Sequence, residues 1–302
     1  MGEREEMVEI WGVLAALLSS ALGGTSVAAT RYVVGACDPL TLGAFRFGIG
    51  FLFLAPIAFL RGERWPPKGD WPEVAGLGLL FFAIFPGLFN ASLLFTTSAR
   101  AALALSTLPL LTLVAGAALG VEALTGRKTV GVLIATAGVA IALLSDLASA
   151  PAGAWRGDLL MVGAAFCMAL YNVWSKPFIK RSGPIPFATM GMAVGALVLV
   201  IVSLSRGGFA PAAGFQSSQW LAIAYLGIFG GAITFFLWAF ALGHTSPTRV
   251  AISVTVNPIS ASLVGALLLA EPIRWNLALG LATVFVGIWL ATTVSRSPDV
   301  RR

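Results

Sequence analysis

Apolar runs of roughly 20 residues alternate with short polar breaks along the whole of this 302-residue chain. A helix of that length crosses the hydrocarbon core of a bilayer. Ten runs can be marked, at 10–29, 40–60, 74–95, 99–121, 129–147, 157–178, 185–204, 220–242, 250–270 and 275–294. All ten are predicted to be helices. No regular apolar–polar alternation marks strands, and an open sheet leaves backbone groups unpaired in lipid.

The runs repeat. At a constant offset of 149, Thr96 falls on Thr245, Arg100 on Arg249, Ala102 on Ala251 and Pro109 on Pro258. In the same register Gly116 falls on Gly265, Glu122 on Glu271, Gly131 on Gly280 and Gly138 on Gly287. One ungapped register that includes charges and a mid-helix proline points to duplication. A weaker match at an offset of 145 pairs Gly12 with Gly157, Arg31 with Lys176 and Pro39 with Pro184. The expected organisation is therefore two five-helix repeats, 1–150 and 151–302. An odd number of spans per repeat makes the second enter the membrane inverted, and such halves frame a midplane site in many transporters.

Composition agrees with this picture. Hydrophobic residues make up 58% of the chain and charged ones 11%, and mean hydropathy is +0.91, which excludes an ordinary soluble domain. The net charge of +6 forms no basic stripe, so a nucleic-acid partner is not expected. Instead, 13 of the 19 Lys and Arg fall in breaks or at span ends on the side of the N-terminus and 5 on the other, with Arg46 deeper inside a span. That bias predicts cytoplasmic N- and C-termini. Trp11, Trp65, Trp71, Trp155, Trp220 and Trp275 sit near span ends, as an aromatic belt does. An N-terminus carrying Glu3, Glu5, Glu6 and Glu9 does not read as a cleaved signal peptide. Cys37 and Cys167 form no CxxC pair, and one histidine, His244, builds no metal site. The GxxxG spacings at Gly116, Gly191 and Gly227 read as close packing within one bundle, and the expected state is a monomer in the lipid bilayer.

The placement of polar residues narrows the chemistry. All 13 acids lie in breaks or at span ends. Enzymes acting on diphosphates need clustered acids for a metal, and proton antiporters usually carry an intramembrane carboxylate. No enzyme activity, cofactor or metal is expected. Glu122 and Glu271 read best as caps on the helix that follows each, with a gate as the alternative. Arg100 and Arg249 read as topology anchors. Arg46 is costly inside a span and is either a substrate or gating group or a snorkelling anchor, and His244 is a second gating or anchoring candidate. Cys167, Tyr171, Trp174 and Ser175 share one helical face, with Asn172 beside them. Phe85, Phe89 and Asn90 surround Pro86, Trp238 stands in span eight, Asn257 precedes Pro258, and Ser20 lies in span one. Ser20, Phe85, Phe89, Asn90, Cys167, Tyr171, Asn172, Trp174, Trp238 and Asn257 are the expected lining of a substrate cavity. Such a lining suits a flat, apolar ligand with a small polar head. An aromatic amino acid fits, and so does a cationic drug or amphipathic metabolite.

Ten helices in two halves, a proline in spans four and nine, and Glu122 and Glu271 each leading into a glycine-containing helix resemble the drug/metabolite transporter superfamily of the EamA repeat type. Within it the chain looks most like the bacterial aromatic amino acid exporters of the YddG type. The resemblance implies an all-α basket around a central cavity, in the bacterial inner membrane, exporting aromatic and other neutral amino acids by alternating access. Small multidrug members carry a glutamate in span one, where this chain has Ser19, Ser20, Thr25 and Ser26. The expected transport is accordingly facilitated rather than strictly proton-coupled. Export of cationic or amphipathic drugs or metabolites is the alternative.

Overall fold

The structure is a computed structural model that describes residues 2–96, 101, 104–142, 153–260 and 275–292. Every regular element among them is helical. Helix α1 (Gly2–Val33) leads to α2 (Pro39–Arg61). Asp38 accepts the amides of Leu40 (3.0 Å) and Thr41 (3.3 Å) and Pro39 occupies the first turn, so the start of α2 is fixed by its own sequence. Helix α3 comprises Trp71–Leu79, a π-turn at Leu80–Ile84 and Phe85–Phe95. Helices α4 (Leu108–Ala118), α5 (Gly126–Ala142), α6 (Ala154–Arg181) and α7 (Pro184–Ser205) follow. Helix α8 comprises Ser217–Gly227, a π-turn at Ile228–Ile233 and Thr234–His244. Helix α9 begins at Pro247–Ile252 and runs into a 3₁₀ turn at Ser253–Val256. Helix α10 is Trp275–Thr292.

Six of these helices, α1, α2, α3, α6, α7 and α8, are long and apolar enough to cross a membrane. Helix α4 and the 278–291 stretch of α10 are apolar but shorter. Arg100, Asp146, Gly265, Glu271 and Arg274 lie outside the described residues.

Contacts between helices repeat as the sequence does. A methyl group built on Gly12 would stand 3.5 Å from Cβ of Thr245, and one on its repeat mate Gly157 would stand 2.8 Å from Cβ of Thr96, the mate of Thr245. The α5–α10 crossing is reciprocal. Gly131 meets the carbonyl of Gly287, and Gly138 meets the carbonyl of Gly280, each about 2.8 Å from the added methyl. Because 131 pairs with 287 and 138 with 280, these mated helices run antiparallel. Without side chains at the crossing the backbones close directly on one another, the small-residue solution for packing helices in lipid.

The two π-turns also superpose on the repeat. Leu80–Ile84 maps at the same offset of 149 onto residues 229–233, inside the Ile228–Ile233 turn. The sequence predicts a kink at Pro86 but no π-turn in either span. In α3 the cause is Pro86, which lacks an N–H and whose ring crowds the carbonyl four residues back, so the extra residue relieves the clash. In α8 the Gly230–Gly231 pair does the corresponding work, with Thr234 Oγ1 donating to the Phe229 carbonyl at 2.7 Å.

At the end of the bundle where α1 begins, charged groups join the halves. Glu122, after α4, accepts the amide of Thr248 at the start of α9 (3.0 Å) and pairs with Lys128 of α5 (3.0 Å). The sequence reading had it capping its own following helix. It caps α9 instead, because the chain reverses after Gly120 (φ 67°) and brings the carboxylate to the positive end of α9. Arg249, expected as an anchor, pairs with Glu9 of α1, which also accepts from Thr245 Oγ1.

Candidate functional site

A cavity of about 50 Å³ lies at mid-length of the helices, lined from α1, α2, α3, α6, α8 and α9, with Leu105 ahead of α4. Ser20, Phe85, Phe89, Trp238 and Asn257 of the expected lining are there, and so is Arg46. Aromatic rings form one wall. The Trp238 indole N–H donates to Asn172 Oδ1 of α6 at 2.9 Å. Phe85 and Phe89 stack at a tilt, 5.7 Å between centroids. Behind them Phe81 of the α3 π-turn stacks on Tyr171 at 3.9 Å and meets Phe235 edge-on at 5.1 Å. Offset and edge-on pairs of this kind fix ring positions.

The polar wall is built mainly from α1 against α8 and α9. Ser19 Oγ donates to the Thr234 carbonyl (2.8 Å), and the hydroxyls of Ser20 and Ser253 bond each other (2.7 Å). Gly24 lets the backbone of α9 approach α1 at Asn257 and Ser260. Asn257 Oδ1 is buried with no hydrogen-bond partner. Arg46 is 8% exposed. Its Nε (3.2 Å) and Nη2 (2.5 Å) donate to the carbonyl of Gly230, inside the α8 π-turn, and its guanidinium lies 5.5 Å and 5.7 Å from the ring centres of Phe47 and Phe235. No carboxylate lines the cavity, and none pairs with Arg46 among the described residues. The site is thus a small chamber with aromatic walls, one formal positive charge and one unpaired acceptor.

Five of the expected lining residues stand elsewhere. Tyr171 and Asn172 form a second layer behind Phe81 and Trp238. Cys167 is buried in the packing of α6. Asn90 donates from Nδ2 to the Pro39 carbonyl (2.9 Å), tying α3 to the start of α2. Trp174 is 44% exposed and lies on the wall of a separate groove of about 760 Å³ between α3 and α6. It shares a face with Tyr171 and Ser175, but it stands at the edge of that face, beside Leu77 and Leu80 on the groove wall, while Ser175 next to it is fully buried. His244 caps nothing in the cavity. Its Nδ1 donates to the Phe240 carbonyl (2.7 Å) and its ring stacks on Phe240 (4.1 Å) at the end of α8. The sequence reading left Gly23, Val27, Leu105, Met168, Thr234 and Val254 out of the lining. Thr234 was the most legible of these, being a polar residue inside an apolar span next to a glycine pair.

Comparison with known proteins places this architecture. The sequence model of the EamA-like transporter family matches twice, at residues 10–144 and 155–293. An uncharacterized transporter of Archaeoglobus fulgidus is 27% identical over 93% of this chain and 97% of its own length. The uncharacterized inner membrane transporter YedA of Escherichia coli K12 is 29% identical over 91% of this chain and 88% of its own. A solved crystal structure shares the fold with a TM-score of 0.73 at 24% identity, over 95% of this chain and 98% of that one. With the family matched on both halves and a chamber lined largely by helices long and apolar enough to cross a membrane, the chain belongs to the EamA-like transporter family and is a multi-pass membrane transporter.

Proposed function

We propose that this transporter exports aromatic and other neutral amino acids by alternating access. In this reading ten spans form two inverted halves, with both termini in the cytoplasm of a bacterial cell and the chamber at the midplane. The observation that carries the reading is the chamber itself: Phe85, Phe89, Phe235 and Trp238 offer flat apolar walls beside a small number of polar groups. Its one formal charge is positive, which weighs against cationic drugs as the preferred cargo. At about 50 Å³ the chamber has room for a few water molecules. Sites for drug-sized ligands run to roughly 300–1,000 Å³. A loaded chamber must therefore be wider than this one, and the two π-turns beside it are the natural places for the helices to yield.

Flux of labelled tryptophan into proteoliposomes, with and without an imposed pH gradient, tests the proposal. Saturable flux indifferent to the gradient is the expected result, since no carboxylate lines the chamber to carry a proton. Flux that vanishes without the gradient would overturn facilitated transport. Absence of tryptophan flux from folded protein would sink the aromatic amino acid reading and move the weight to another metabolite or to drugs.

A further inference from the structure

Arg46 presents a problem that the fold alone does not solve. A guanidinium in the middle of a bilayer is expensive, and such groups are normally offset by a carboxylate. Among the described residues its hydrogen bonds go to one neutral main-chain oxygen, that of Gly230, which accepts from both Nε and Nη2. A single carbonyl is a poor match for a fork that can hold two oxygens side by side. Gly230 belongs to a π-turn, and Arg46 lines the chamber. The Asn257 side chain lines the same chamber, and its buried Oδ1 has no donor, although most buried polar atoms have partners. One lining group thus lacks an anion and another lacks a hydrogen-bond donor.

We infer that Arg46 is the receptor for a substrate carboxylate, which takes the guanidinium over from the Gly230 carbonyl, while Asn257 Oδ1 accepts from the substrate's ammonium. This rests on the proposed amino acid cargo and sharpens it: the ligand is recognised as a zwitterion, by both charged ends, with its side chain against the aromatic wall. Charge-assisted bidentate pairs are roughly twice as strong as neutral hydrogen bonds, which favours the exchange. The exchange also has a mechanical side. The Arg46–Gly230 bonds hold α2 to the π-turn of α8, where a methyl on Gly231 would stand 3.0 Å from the Arg46 carbonyl. A carboxylate that draws the guanidinium away releases that tie in the segment that has to yield.

The test uses purified full-length protein in detergent and three probes with the same indole ring: tryptophan (both charges), indole-3-propionate (carboxylate only) and tryptamine (ammonium only). Ligand-induced thermal stabilisation reports binding without requiring transport. Tryptophan is expected to bind most tightly, indole-3-propionate next, and tryptamine at least ~10-fold more weakly than tryptophan, because it leaves the guanidinium without an anion. Arg46→Gln is expected to bring tryptophan and tryptamine to within about 3-fold of each other, and Arg46→Lys to keep a reduced preference. Should Arg46→Gln fail to fold, the wild-type probe order still decides. Tryptamine binding as well as tryptophan would overturn the inference, as would an unchanged preference in folded Arg46→Gln. Indole-3-propionate binding without tryptophan would keep the Arg46 assignment and sink the amino acid reading. Binding of none of the three would sink both.

Discussion

Trp238 donates its indole N–H to Asn172 Oδ1 across 2.9 Å, so the ring that walls the chamber from α8 is aimed by α6. Both residues are at most 2% exposed. Replacing Asn172 by Leu leaves the N–H buried without an acceptor, at a cost of about 1–3 kcal/mol. The expected result is a lower melting temperature and, on the proposed amino acid cargo, a several-fold rise in KM for tryptophan. Asn172→Asp, which keeps an acceptor, should retain the low KM. Equal KM values in Asn172→Leu and wild type would show that the bond does not position the ring.

The α5–α10 crossing should be intolerant of any side chain. A Cβ on Gly131 or Gly138 lies within 2.7 Å of main-chain nitrogen on α10, at Ala291 or Val284. Overpacking of this kind costs typically 1–3 kcal/mol, and more where backbone must move. Gly131→Leu is expected to lose its monodisperse peak in size-exclusion chromatography. Gly35→Ala, with nothing within 4 Å of the added methyl, should behave as wild type.

Glu122→Gln should loosen the start of α9. The substitution removes the charge that faces both the Thr248 amide and Lys128, while leaving an oxygen that can still accept. A charge at a helix N-terminus is worth about 0.3–1 kcal/mol at an exposed site and up to about 2 when partly buried. Hydrogen exchange over residues 247–252 is expected to speed up by about 3- to 10-fold, with no change in α7 as the internal reference.

Cys37 should resist thiol reagents. Burial, and then the neighbouring Asp38 carboxylate, push its thiol up to about 11. The neutral thiol therefore persists at pH 7.5, and only the thiolate reacts well. In a Cys167→Ala background, maleimide labelling is expected to be negligible in folded protein at pH 7.5 and complete in denaturant. Rapid labelling of the folded protein would mean that the α1–α2 connection opens readily.

Much of the fold could be read from the chain, because membrane helices announce themselves by length and apolarity and a duplication by its register. Gly131 and Gly138 were visible as repeat marks, and they prove to be the points where mated helices cross. The site was legible only in part. Pattern places a residue on a helix face but does not say what that face meets. Tyr171 and Trp174 share a face of α6, yet one packs on Phe81 and the other stands on an open groove. The lining from Gly23, Val27 and Val254 carries no chemical mark at all. The π-turns were hidden for a similar reason, since one comes from a proline and its twin from two glycines.

The twinned contacts of Gly12 with Thr245 and Gly157 with Thr96 carry a consequence for the balance of the molecule. They secure opposite ends of the bundle with the same pair of residue types. If each end parts in turn, every kilocalorie added to one fastening tilts the resting population toward the opposite opening. Gly12 and Gly157 are then two weights on one beam, and substitutions at them should push the same equilibrium in contrary directions.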